Sequence, residues 1–290
     1  MKRLLSLLAL FPVLGFAQTS TYKADTTRSL LWEISGKGLK DTSYLFGTIH
    51  VICPDDYFLP EHVKNAFAKT KQVAFEIDLD DPSVMMGMLG KMKMSDDKKL
   101  SDLLSKKDYA FLSRFFSDSL KLDIEAYATM KPLMIASTIA EKSQGCSVKS
   151  YELELMMMAM KQGKSVMGLE KLEDQLNVIE KIPYKKQAEM LLKTAKEYSE
   201  SKKNLREIVA FYRQQDVHKL QELFSEEDAD MKEYEPLLLG NRNKNWIPVI
   251  EKAANEKATF FAVGAGHLGG EKGVIELLRK EGFTLRAITK

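Results

Sequence analysis

Two segments near opposite ends of the chain, Gly47-Thr48-Ile49-His50 and Gly264-Ala265-Gly266-His267, share one form: an apolar run followed by Gly-x-x-His. The chain has only four histidines, so two in the same local setting narrow the search for chemistry. A glycine closing a strand lets the backbone turn sharply and come close to a bound group; the histidine three residues on is then presented at the sheet edge. Neutral imidazole is a common metal ligand, and two histidines with one carboxylate and open positions make a hydrolytic or redox site. Glu76, toward the end of the apolar run Gln72–Leu79, could supply that carboxylate. A lone histidine at a strand end is usually structural, and the repetition is what points to ligation here. His62 and His218 lack the setting and read as surface residues of helices.

The elements that must position these groups form an α/β pattern. Ser29–Ser35 and Ser43–His50 read as strands around a Gly-Lys-Gly turn, a predicted hairpin. Pro60 opens a helix to about Lys69, and Gln72–Leu79 reads as a third strand, with Val73, Phe75, Ile77 and Leu79 on one face and Ala74, Glu76 and Asp78 on the other. From about 82 to 162 the pattern is helical and rich in methionine, a residue that fills irregular space between helices or lines an adaptable groove for apolar or peptide ligands. Lys164–Leu169 returns to strand, and further helices are expected over about 171–255. Ala258–Val263, apolar on both faces, reads as a covered central strand; a helix from about Glu271 to Lys280 and a last strand follow. The succession strand, Gly-x-x-His, helix, strand thus occurs twice. The expected fold is a mixed central sheet formed by the N- and C-terminal parts, with a large helical insertion over about 82–162.

Lys2 and Arg3 precede an apolar run, Leu4–Phe16, that ends at small residues, the form of a signal peptide over residues 1–17. The mature chain, 18–290, is expected to be a single domain, periplasmic or secreted, with no stable membrane insertion, since no later stretch reaches about 18 uninterrupted apolar residues. Removing Lys2 and Arg3 leaves basic residues equal to the 41 acidic ones. A neutral chain without a basic block gives no electrostatic reason to expect nucleic acid as a partner. Cys53 and Cys146, the only cysteines, could pair in an oxidising compartment. There is no His-Glu-x-x-His, no Gly-x-Ser-x-Gly elbow and no P-loop ending after Gly264-Ala265-Gly266-His267-Leu268-Gly269-Gly270. A Gly-x-Gly-x-x-Gly reading of that run leaves too little chain after it for a ribose-binding acid.

Five ordered segments, YLFGTIHV, VAFEIDL, VMGLEKLEDQ, LLLGNRNKNW and FFAVGAGHLGGEKGVIELLRKEGFTL, resemble the TraB/GumN family over roughly residues 28–290. That family belongs with the Tiki metalloproteases and more distant haem-binding and erythromycin-esterase relatives. The resemblance implies a compact α/β fold with a helical insertion. It marks His50 and His267 as metal ligands with Glu76 as acidic partner, and Glu170 and Arg242 as catalytic or supporting groups. A divalent ion (zinc, manganese, cobalt or iron) would then bind water and lower its pKa. Glu170 would accept the water proton, and Arg242 would steady a developing oxyanion or anchor a carboxylate of a peptide or small amide substrate. A structural Glu170–Arg242 ion pair is the plain alternative. The same histidines would also suit a binding protein that holds haem or a metal, and a third reading is a module that sequesters a peptide without cutting it.

Overall fold

The computed structural model describes residues 27–226 and 232–289; the leader expected over 1–17 lies outside them. Among the described residues, six strands make one mixed sheet: Leu31–Gly36 (β1), Ser43–Thr48 (β2), Gln72–Phe75 (β3), Ser165–Gly168 (β4), Thr259–Gly264 (β5) and Phe283–Ala287 (β6). Their order is β4-β3-β5-β2-β1-β6. The first four in that order run parallel; β1 is antiparallel to β2, and β6 antiparallel to β1. The hairpin and the union of the two chain ends are therefore present, and β4 joins from the middle of the chain. β5 lies between β3 and β2, where the residues Thr259 to Val263 are buried on both faces as a covered strand requires.

α1 (Glu61–Lys69) links β2 to β3. Between β3 and β4 come α2 (Pro82–Lys91), α3 (Leu100–Leu103), α4 (Lys106–Phe115), α5 (Pro132–Ser143) and α6 (Tyr151–Lys161). Between β4 and β5 come α7 (Leu172–Glu180), α8 (Tyr184–Lys196), α9 (Tyr198–Arg213), α10 (Val217–Glu226) and α11 (Asn241–Glu256). α12 (Val274–Lys280) precedes β6 and starts three residues later than expected, because Gly270, at φ +80°, turns the chain first. Both repeats of strand, Gly-x-x-His, helix, strand fold as β-α-β units, β2-α1-β3 and β5-α12-β6. β6 runs with β5, since each is reached from β2 through parallel pairing or two antiparallel steps.

The third strand is shorter than its alternation predicts. β3 ends at Phe75, all four of its residues are buried, and its partner β4 ends at Gly168. Backbone pairing runs on only through Leu169 N to Phe75 O and Glu170 N to Glu76 O. Glu76 therefore stands just past the strand end and not on a strand face with Asp78.

Helices cover the sheet, with Phe67 of α1 and Tyr151 of α6 meeting Phe260 and Phe46. A second core, built from Leu112, Phe115, Ile135, Ile139 and Leu191, joins α4, α5 and α8. Buried Lys131, at the start of α5, donates to the Lys91 carbonyl and pairs with Glu180 at 2.5 Å, tying α2 to α7. Met156 and Met158 pack against the main core and Met130 against the second, as core packing expects, while Met157 and Met160 are exposed. Cys53 and Cys146 form a disulfide with Cα atoms 5.8 Å apart. It fastens the loop after β2 to the segment before α6, beside the Ile52–Lys149 bridge. No helix among the described residues is long and apolar enough to cross a membrane.

Candidate metal and catalytic site

The carboxyl ends of the parallel strands lie along one edge, the place where open α/β sheets gather ligands. β2 delivers His50, β3 Glu76, β4 Glu170, and β5 Gly264 to His267, with Thr48 in register with Gly264. Close packing explains the glycine of each histidine motif. A Cβ on Gly47 would fall 2.7 Å from Leu268 Cδ1 and 3.1 Å from Ala265 Cα, so the first motif makes room for the loop of the second. A Cβ on Gly264 would stand 3.3 Å from Glu76 Oε1, 3.6 Å from His267 Cδ2 and 3.9 Å from His50 Nε2. The three ligands expected from the sequence thus surround a single point that a side chain at Gly264 would fill.

Arg242, in the first turn of α11, joins the acidic groups. Its Nη2 donates to Glu76 Oε2 at 2.6 Å and to Glu170 Oε1 at 2.5 Å, and its Nε donates to Glu170 Oε1 at 2.9 Å. The side chains of Arg242, Glu76 and Glu170 are only 11%, 10% and 9% exposed, so the two carboxylates rely on this cation in place of water. Glu76 also accepts from Gly264 N at 2.9 Å and Gln175 Nε2 at 3.1 Å. Burial alone would raise its pKa, but the surrounding donors and positive groups hold the carboxyl well below the usual range. Arg242, which donates to Glu76 directly, and the His50 imidazole are the positive groups beside it. At Glu170 burial prevails over Arg242 and the pKa is raised, which suits a group that accepts a proton.

Each histidine is braced from behind. His267 Nδ1 lies 2.5 Å from Asn243 Oδ1, while Asn243 Nδ2 donates to Lys272 O at 2.9 Å, which fixes the amide orientation. The Nδ1 therefore carries the hydrogen and Nε2 presents a lone pair toward the site. Burial pushes the pKa of His267 down to about 3. Its ring stands 4.5 Å from that of Trp246, over which the Arg242 guanidinium lies at 4.9 Å. His50 Nδ1 lies 3.1 Å from Glu152 Oε1, and Glu152 also accepts from Thr48 and Ser150, each at 2.8 Å. The hydrogen bond to Glu152 raises His50 to about 9. The His50 ring remains at the open rim, with 69% of its side chain exposed, and its Nε2 faces the site.

Among the described residues no three His, Cys, Asp or Glu side chains already stand in a metal-holding group. The geometry gives a reason: Arg242 Nη1 lies 3.3 Å from His267 Nε2, on the side a metal would use. His62 and His218 stand outside this constellation; they are half-buried on α1 and α10, not surface residues, and their Nε2 atoms are enclosed. Sequence reasoning missed Glu152, Asn243, Gln175 and Trp246. Asn243 and Trp246 follow Arg242 in LLLGNRNKNW, and Gln175 closes VMGLEKLEDQ, so their segments carried a signal. Glu152 had only its place in the first turn of a helix capped by Ser150.

Named relatives resemble the chain along most of its length. The metalloprotease TIKI2 of Danio rerio is 22% identical over 314 aligned residues, covering 88% of this chain and 60% of that protein. Metalloprotease TIKI1 of Danio rerio is 22% identical, covering 92% and 64%, and TIKI1 of Homo sapiens 22%, covering 88% and 61%. The chain thus spans about 60% of the length of these relatives. No solved structure matches it. The sequence model of the TraB/PrgY/gumN family matches residues 30–287, essentially all of the sheet and the helices that carry the site. The chain belongs to the TraB/PrgY/gumN family, which includes the Tiki metalloproteases.

Proposed function

We propose that this chain is a metal-dependent hydrolase of peptides or small amides, acting outside the cytoplasm. The observation that carries the reading is the convergence of Glu76 Oε1, His50 Nε2 and His267 on the space beside Gly264. Both imidazoles are anchored through Nδ1 by an oxygen acceptor, the arrangement found behind metal-ligating histidines. This donor set fits zinc, manganese, cobalt or iron. A divalent ion held by His50, Glu76 and His267 would supply a water of lowered pKa and a Lewis acid for the substrate carbonyl. Glu76 can serve as ligand through Oε1 while Oε2 stays on Arg242 and Gln175. Glu170, with its raised pKa, accepts the proton of the attacking water. Arg242 Nη1, freed from His267, donates to the developing oxyanion while Nε and Nη2 keep hold of Glu170. The Cys53–Cys146 disulfide supports an oxidising compartment, periplasmic or secreted.

A cavity of about 180 Å³ opens beside the two histidines. It lies below the about 300–1,000 Å³ usual for cofactor-sized ligands, which favours a hydrolytic site over a haem pocket. The test is metal content of residues 18–290 and of a His50→Ala/His267→Ala variant after equal exposure to zinc, manganese, cobalt and iron. Near-stoichiometric metal in the wild type that disappears in the variant is expected, followed by peptide-library cleavage with that metal. Equal, negligible metal in both proteins would sink the proposal.

A further inference from the structure

We infer that the cavity beside His50 and His267 is a subsite for one apolar side chain of the substrate, of leucine, methionine or phenylalanine size. This rests on the hydrolase reading and gives it a specificity. Away from the two imidazoles, the side walls are Ile49, Ile208, Tyr212, Leu220 and Leu239, with Thr48, whose hydroxyl donates to Glu152 at 2.8 Å. Tyr212 contributes its ring only, because its hydroxyl donates to the Gly47 carbonyl at 3.0 Å. Small residues, Gly264, Ala265 and Gly266, keep the floor low next to the ligating groups.

Size and polarity set what can enter. An apolar cavity of about 150 Å³ admits benzene, so the 180 Å³ here takes one large aliphatic or aromatic side chain. An ammonium would lose its water against Ile208, Leu220 and Leu239 without gaining a partner. Because the chamber opens onto His50 and His267, a residue seated in it brings its own backbone amide to the space beside Gly264. The side chain filling the chamber would therefore belong to a residue flanking the bond that is cut.

Ile208 is the residue to change. It sits on α9, half-buried, on a wall that carries none of the charged groups. Binding of N-acetyl-leucine amide, N-acetyl-alanine amide and N-acetyl-lysine amide to the metal-free chain would be measured by calorimetry and ligand-observed NMR. Three extra buried carbons predict that the leucine compound binds about 50-fold tighter than the alanine one, with no gain for lysine. Ile208→Phe, which fills the chamber, should abolish that preference, and Ile208→Ala should move it toward N-acetyl-phenylalanine amide, measured in the same way; circular dichroism checks that both variants fold. A cleavage map of the metal-loaded wild type should show apolar residues at one position next to the cut, lost in Ile208→Phe. Leucine preference that Ile208→Phe removes, without any cleavage, keeps the subsite and refutes the hydrolase. Equal binding of the leucine and alanine compounds, or cleavage indifferent to apolar residues, overturns the subsite and leaves the hydrolase standing.

Discussion

Asn243 gives the sharpest test of how this site is held together. It is buried, and its amide serves two partners at once: Oδ1 accepts from His267 Nδ1 and Nδ2 donates to the Lys272 carbonyl. Asn243→Ala leaves both of those partners orphaned in the interior. Each orphaned buried group costs about 1–3 kcal/mol, so the variant should lose about 3 kcal/mol. For a domain of this size that is a fall in thermal midpoint of about 6–12 °C. The same substitution releases the tautomer and orientation of His267, so affinity for the divalent ion should drop about 10–100-fold. Calorimetric unfolding reads the first effect and competition with a chromophoric zinc indicator the second. A cycle with His267→Ala separates them: once the imidazole is gone, removing Asn243 costs only the bonds from its Nδ2 to the Lys272 and His267 carbonyls, leaving a coupling of about 1–2 kcal/mol. An additive cycle, or wild-type metal affinity in Asn243→Ala, would refute the argument that Asn243 sets the tautomer of His267.

Other perturbations follow from the same network. Glu152→Gln keeps hydrogen-bonding capacity for Thr48 and Ser150 but removes the charge behind His50; metal affinity should fall about 10-fold or more, with little change in the unfolding midpoint. Arg242→Met leaves the buried carboxylates of Glu76 and Glu170 without their cation and should destabilise the chain by about 3–5 kcal/mol at neutral pH, read by guanidinium unfolding. Reducing Cys53–Cys146, which bridges a sequence separation of 93, should cost about 4.5 kcal/mol, and coincident unfolding curves with and without reductant would contradict this. Lys131→Met removes a buried ammonium that joins the Lys91 carbonyl to Glu180; a loss of about 1–3 kcal/mol is expected from thermal unfolding.

Most of the sheet was legible in the sequence because its signals are local. A glycine that ends an apolar run, and a histidine three residues later, follow from backbone geometry within one segment; β2 and β5 carry them where expected. The double-sided apolarity of the residues Phe260 to Val263 marked the central strand. The extent of β3 was not legible: alternation continues to Leu79, but a strand lasts only while a neighbour offers hydrogen bonds, and β4 ends at Gly168. The family resemblance marked Glu170 and Arg242, and the structure joins them into one cluster with Glu76. What no spacing could disclose is the bracing of each imidazole. Glu152 reaches His50 across 102 positions and Asn243 reaches His267 across 24, from helices whose own amphipathic patterns concern packing alone. Residue types and local turns are written in the chain itself; which acceptor backs which histidine, and which cation sits between the carboxylates, depends on the packing of distant helices against one sheet edge.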